Sequence, residues 1–183
     1  GDGTTTDRTT PVKIMDGVAS VSAGSRHSLI VKTDGTLWSC GNDYYGQLGD
    51  GRSGYADENY NYKISATPIK ITDGVAAVAA GSDYSLVLKT DGTMWACGNN
   101  GSGQLGDGTS TNRERLVKAM DDVASISAGS NHSLIVKTDG TMWACGYNGS
   151  GCLGDDTTTK RMTPVKIMDN VVSVSAGSSY SLI

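Results

Sequence analysis

The chain has 183 residues, a formal net charge of −4 and a pI near 5.0, with 37% hydrophobic residues, 25 glycines and no phenylalanine. Its Lys and Arg are scattered, so it lacks the concentrated basic face that nucleic-acid binding needs, and no apolar run approaches the ~20 residues of a membrane-spanning helix. Abundant Gly with little aromatic mass fits short strands joined by tight turns better than packed helices.

One block of text recurs. Its copies begin at Val18, Val75, Val123 and Val171, spaced 57, 48 and 48 residues apart, a period that points to a repeat architecture. In chain order, Thr10-Pro11-Val12-Lys13-Ile14 reads as an outer strand, because Pro is tolerated at a strand start or a sheet edge. Val18 to Ala23 is built from Val, Ala and Ser, which suits the crowded inner strand of a radial sheet. His27-Ser28-Leu29-Ile30-Val31-Lys32-Thr33 is a β-branched run with apolar residues on both faces, as in a strand covered on both sides. Asp34-Gly35 predicts a two-residue type I′ hairpin, and Thr36-Leu37-Trp38-Ser39-Cys40 returns. A Gly- and Asn-rich connection, from Gly41 to Gly51, then reverses the chain toward the next outer strand.

The expected fold is therefore all-β, a β-propeller of four-stranded antiparallel blades. Residues 18–71, 75–120 and 123–168 each make a blade. Residues 171–183 begin another, and 10–14 form an outer strand with no blade of their own. About 18 further residues between Ile183 and the next Gly-Asp-Gly would complete four whole repeats, so the reading favours a piece of a longer ring. Exposed blade ends also leave room for self-association.

Ala23-Gly24-Ser25-Arg26-His27-Ser28-Leu29, Asp34-Gly35, Trp38, Gly41-Asn42 and Gly46-Gln47-Leu48-Gly49 resemble the regulator of chromosome condensation repeat, and the likeness recurs through essentially the whole chain. The resemblance implies about three and a half blades of a seven-bladed ring. The family's eukaryotic repeats usually carry Trp just before Gly-x-Asn. Here Cys40, Cys97 and Cys145 stand there and the Trp lies two residues earlier, wording closer to bacterial repeats. Family roles range from nucleotide exchange on a small GTPase, through ubiquitin-ligase domains, to secreted inhibition of β-lactamases. Their common theme is protein binding through loops on one propeller face.

No catalytic, cofactor or metal site is expected. His27 and His132 are matched in the other copies by Tyr84 and Tyr180, so each ring is expected to place a polar tip in a hydrogen bond between blades. Cys40, Cys97 and Cys145 recur once per blade and read as small core residues, too far apart for disulfides. Cys152 replaces Gln47 and Gln104, and a local bond to Cys145 stays open. The carboxylates Asp34, Asp91 and Asp139 are turn residues. No His/Cys cluster has zinc-ligand spacing.

The copy starting at Val75 is preceded by nine extra residues, within Arg52 to Lys63, that hold three of the chain's eight Tyr. Tyr55, Tyr60 and Tyr62, with Tyr44 and Tyr45 in the same connection and Tyr147 in the matching one, are the candidate protein-binding residues. The alternative for this loop is a solvated insertion, since added loop length costs little. The expectation is a non-enzymatic protein-interaction or structural scaffold in a larger bacterial surface or secreted protein, with a protein partner, no nucleic acid and no membrane insertion. Hydrolase inhibition, self-assembly and guanine nucleotide exchange remain as alternatives.

Overall fold

A computed structural model describes residues 1–55 and 62–183. Its strands, in chain order, are β1 (Val18–Ala23), β2 (His27–Lys32), β3 (Leu37–Asn42), β4 (Ile64–Thr72), β5 (Val75–Ala80), β6 (Tyr84–Lys89), β7 (Met94–Gly98), β8 (Arg113–Met120), β9 (Val123–Ala128), β10 (His132–Lys137), β11 (Met142–Gly146), β12 (Arg161–Met168), β13 (Ser175–Ala176) and β14 (Ser181–Leu182). They form three four-stranded antiparallel sheets, β1-β2-β3-β4, β5-β6-β7-β8 and β9-β10-β11-β12, and a two-stranded sheet β13-β14. The three larger sheets are blades of one propeller arc.

The hairpin between β2 and β3 is not the two-residue type I′ turn expected. Lys32 O accepts Gly35 N and Lys32 N donates to Thr36 O, so the loop holds three residues, Thr33, Asp34 and Gly35, and only Gly35 has positive φ (76°). Asp34 Oδ1 accepts both Thr36 N (3.0 Å) and Thr36 Oγ1 (2.7 Å), which ties its side chain to the strand that follows. That is a type I turn closed by a Gly bulge. The Thr36 bonds hold the Asp34 carboxyl below its usual range. Asp91 and Asp139 repeat this arrangement.

Residues 10–14 are not a strand. In every four-stranded sheet the outer strand pairs with the third strand that precedes it in the chain, and no such strand precedes residue 10 among the described residues. The segment before it nevertheless docks like the blade connections. Gly3 N donates to Ala66 O, as Gly51 N does to Glu114 O and Gly108 N to Met162 O.

The core lies between blades. Leu29, Val31 and Leu37 pack on Val75 and Val87; Leu86, Leu88 and Met94 join Val123 and Ile135; Leu134, Val136 and Met142 meet Val171. Each such fully buried side chain contributes about 1.5–3 kcal/mol relative to exposure. On the first blade's free side the equivalents are bare: Val18, at the place of Val75 and Val123, is 39% exposed, and Val21, at the place of the part-buried Val78 and Ile126, is 69% exposed.

Rings on the second strands reach across these seams. His27 Nε2 lies 3.0 Å from Ser85 Oγ, and Ser85 Oγ donates to Gln47 O at 2.7 Å. The Ser85 proton is thus committed to Gln47, and His27 is the donor to Ser85 through Nε2–H. His132 meets Ser181 in the same way at 3.2 Å. Tyr84 Oη donates to His132 O at 2.5 Å. Burial lowers the His27 pKa to about 4 and also depresses His132, so both are neutral structural rings. Gly81 makes room for one of the rings: a Cβ there would collide with the edge of Tyr84.

All four cysteines are free and buried, with Cys145 pushed up to about 12 by desolvation. Cys145 and Cys152 therefore form no disulfide.

Candidate functional site

The connection after the third strand of each blade is built on one polar residue. In the second blade Asn100 is fully buried. Its Oδ1 accepts Leu105 N at 3.0 Å, and its Nδ2 faces Asp107 Oδ1 (3.0 Å), Thr109 O (3.1 Å) and Thr111 O (3.1 Å). Asp107 in turn receives Arg113 Nε at 2.7 Å. Asn148, Leu153, Asp155 and Arg161 repeat the design in the third blade. An amide suits this place because it offers a fixed acceptor to one neighbour and fixed donors to several others.

The first blade departs from it. Asp43 occupies the Asn place, Tyr44-Tyr45 replaces Gly-Ser, and the inserted residues follow Arg52. Asp43 Oδ1 still accepts Leu48 N at 2.9 Å, while burial, with the nearby Asp50 charge, raises its pKa to about 7. Arg52, and not a residue at the Arg113 place, pairs with Asp50. Gly54 N donates to Tyr44 O (2.8 Å), Lys63 N to Gly54 O (3.2 Å) and Asp43 N to Lys63 O (2.8 Å), so both ends of the insertion are fastened to the Asp43–Tyr44 backbone. Tyr55 and Tyr62 form a bridge across its neck.

Four of the six tyrosines singled out from sequence come together here. Tyr44 is the centre, with ring centroids 4.7 Å from Tyr45, 5.0 Å from Tyr55 and 5.3 Å from Tyr62, and Tyr55 stacks on Tyr62 at 5.7 Å. The neighbouring Tyr44 hydroxyl raises the Tyr55 pKa. Tyr55 and Tyr62 remain 41% and 44% exposed. Tyr60 lies outside the described residues. Tyr147 is not in the cluster: it follows β11 in the third blade, at the place of Asn42 and Asn99, and its carbonyl accepts Cys152 Sγ at 3.0 Å. In the other two blades that place pairs with Gln47 or Gln104, so Tyr147 and Cys152 replace both members of one pair.

The rings border a cleft of ≈ 510 Å³ between the first two blades, closed on its other sides by Arg26, Asn42 and Asp83. Arg26 lies 5.9 Å from the Tyr62 ring centroid. Burial pushes the Asp83 carboxyl up while Arg26 pulls it down. Aromatic faces beside one cation and one partly desolvated carboxyl make a surface suited to side-chain recognition. Arg26 and Asp83 were not singled out from sequence, because they arrive from separate blades and no spacing joins them to the tyrosines. Among the described residues no group of three or more His, Cys, Asp or Glu could hold a metal ion, and no helix is long and apolar enough to cross a membrane.

Two family models for the regulator of chromosome condensation (RCC1) repeat match the chain, one at residues 18–47, 75–104 and 123–152, the other at 34–88, 91–136 and 139–183. It is 37% identical over 91 residues to the protein RCC2 homolog of Danio rerio, covering 47% of this chain and 16% of that one. It is 35% identical over 91 residues to the secretion-regulating guanine nucleotide exchange factor of Bos taurus, covering 49% of this chain and 18% of that one. Its fold is similar to that of Prp20p from Saccharomyces cerevisiae, with TM-score 0.79 at 22% identity over 90% of this chain and 43% of that one. The Prp20p structure is described together with that protein's binding properties to Gsp1p and histones. The chain spans less than a fifth of each of these two curated relatives and less than half of that solved structure.

Proposed function

We propose that this chain, which belongs to the regulator of chromosome condensation (RCC1) repeat family, is a non-enzymatic protein-interaction scaffold whose contact surface is the tyrosine cluster of its first blade. One observation carries the reading. Where the other blades have Gly-Ser, the first has Tyr-Tyr, and two further rings from the insertion pack on them while staying over two-fifths exposed. Large rings with few rotatable bonds give contact area at low entropic cost. The partner is a protein, with no nucleic acid and no membrane insertion. Tyr147 belongs to a separate part of the loop face and is a secondary contact at most.

The test is affinity capture of proteins from the source cells with the native protein and with a Tyr44→Ala, Tyr55→Ala, Tyr62→Ala variant. A partner retained by the native protein and absent from the variant, with a cooperative unfolding transition weakened by no more than about 1 kcal/mol, supports the assignment; equal capture sinks it. Placement within a larger bacterial surface or secreted protein rests on the repeat wording, and the relatives named above are eukaryotic.

Guanine nucleotide exchange is the second reading, favoured by the relative that bears that description. It predicts that the protein accelerates GDP release from a small GTPase of the same cell.

A further inference from the structure

The cleft beside the tyrosine cluster is bordered by two residues in matching places. Arg26 and Asp83 each stand just before a second strand, β2 and β6, and their counterparts in the later copies are Asn131 and Ser179. Their main chains are pinned, Arg26 O accepting Asn42 N at 2.8 Å and Asp83 O accepting Asn99 N at 2.9 Å. Their side chains are not. Among the described residues the Asp83 carboxylate has neither a hydrogen bond nor an ion pair, and Arg26 has only its 5.9 Å approach to the Tyr62 ring. In the next seam the equivalent side chain is tied back, Asn131 Oδ1 accepting Gln104 Nε2 at 3.3 Å. In the first seam Gln47 Nε2 donates to Asn42 Oδ1 at 3.0 Å and Gln47 Oε1 accepts Tyr45 N at 2.9 Å, which leaves Asp83 to the cleft.

We propose that this cleft receives a basic side chain, arginine or lysine, from the protein partner, its stem lying along the tyrosine rings and its charge on the Asp83 carboxylate. The inference rests on the contact surface proposed above and names the chemistry of what it binds. Burial has taken part of the water from Asp83, and no donor of the chain replaces it. A cation arriving there gains an ion pair for which part of the desolvation has already been met in folding. The rings favour the same sign, since aromatic faces attract cations, and Tyr44, Tyr45, Tyr55 and Tyr62 line one side. Arg26, drawn to Tyr62, shows the same preference within the chain. The volume of ≈ 510 Å³ falls within the roughly 300–1,000 Å³ of sites that hold small ligands, room for one side chain and the peptide beside it.

Arg26 offers the opposite choice, an acidic occupant, and the surroundings weigh against it. Its side chain is exposed and hydrated, so a carboxylate that pairs with it gains little. The same carboxylate would lie in one cleft with Asp83 and against ring faces that repel anions. The net charge of −4 also steers basic partners toward the molecule rather than acidic ones. Arg26 is then the cleft's internal competitor, a cation already beside Tyr62.

The test is NMR titration of the protein with acetylated, amidated pentapeptides, Gly-Gly-Xaa-Gly-Gly with Arg, Lys, Glu or Ala at the centre, following the Tyr44, Tyr45 and Tyr62 ring signals and the Asp83 amide. The Arg and Lys peptides should shift these signals, and the rings should move the peptides' own side-chain methylenes upfield; the Glu and Ala peptides should leave them still. Asp83→Asn and Asp83→Ser, which install the residues of the third and fourth copies, should each weaken the Arg peptide about tenfold. Arg26→Ala should bind it equally or up to about threefold tighter. The Asp83 side chain has no partner to lose, so both Asp83 variants keep the fold, and their urea unfolding verifies it. Signals that stay still up to about 20 mM Arg peptide, a Glu peptide that binds as well as the Arg peptide, affinity unchanged in either Asp83 variant, or affinity lost in Arg26→Ala would each overturn the basic occupant. No partner enters this measurement. Peptide binding at the rings with unaltered partner capture in the Tyr variant refutes the contact surface and leaves the site for a basic side chain; abolished capture with no peptide binding does the reverse.

Discussion

The connections of the first and second blades begin from the same plan and end in different properties. In both, a buried side chain five residues before a leucine caps that leucine's N–H, Asp43 for Leu48 and Asn100 for Leu105, at 2.9 and 3.0 Å. In both, an aspartate seven residues further on is paired with an arginine. The second connection is closed by permanent donors and presents Gly-Ser to solvent. The first substitutes a carboxyl for the amide, draws its arginine from the residue just before the insertion, and presents four tyrosine rings. The polar scaffold fixes where a loop sits; two or three positions within it decide what the loop presents.

Removing the scaffold residue from the inert blade should have the largest effect. Asn100→Ala leaves Leu105 N and the loop carbonyls without partners in a buried site, and a loss of about 3 kcal/mol in urea unfolding is expected. A loss under about 1 kcal/mol would show that the loop does not depend on this network. Transplanting the first blade's chemistry comes next. Asn100→Asp should match the native protein at about pH 5 and fall by about 1–2 kcal/mol toward pH 8, since a buried acid beside Asp107 must then ionise. Equal stability at both pH values would mean that solvent reaches the site.

The reverse exchange sharpens the comparison through the sign of a slope. Asp43 ionises in the native state near 7 rather than 3.8, so the folded protein holds more protons between those values and loses stability as pH rises. His27 ionises near 4 rather than 6.5, so the unfolded chain holds more protons there and stability rises with pH. The two oppose each other over roughly pH 4 to 6.5 in the native protein. In Asp43→Asn the raised Asp83 carboxyl is left to oppose the histidines, and stability should change with pH across that window more positively than in the native protein. A slope identical to that of the native protein would remove Asp43 from the balance. The Tyr44→Ala, Tyr55→Ala, Tyr62→Ala variant should have the smallest effect on folding, about 1 kcal/mol in the same urea titration, because rings that pack on one another at the surface support the neck but not the core.

The blade repeat was legible because it is written four times, and equivalence between His27 and Tyr84 already marked those rings as structural. The hairpin type was not. Asp-Gly suits a type I′ turn in isolation, and what displaced it was the Thr36 N–H and hydroxyl two residues on, which hold the Asp34 side chain. Tyr44, Tyr45, Tyr55 and Tyr62 could be grouped by proximity in the chain, whereas Tyr147 was grouped by composition, and its blade keeps it apart. The Asp43 substitution is visible when the copies are aligned. Its consequence is not, because the burial and the nearby Asp50 charge that raise the Asp43 pKa arise only in the folded connection.

The hydrogen bonds that cross each seam have a mechanical side. His27 to Ser85, Tyr84 to His132 and His132 to Ser181 join each blade to the next and to no other. Tension applied between distant points on the arc is therefore carried in series, like load along a chain of links, and the weakest seam sets the strength of the whole. Such an arc yields link by link, each blade that gives way releasing on the order of 150 Å of slack, as expected for nearly fifty extended residues. Force would thus expose the loop face in discrete steps, so the molecule can lengthen under load while its remaining blades keep their shape.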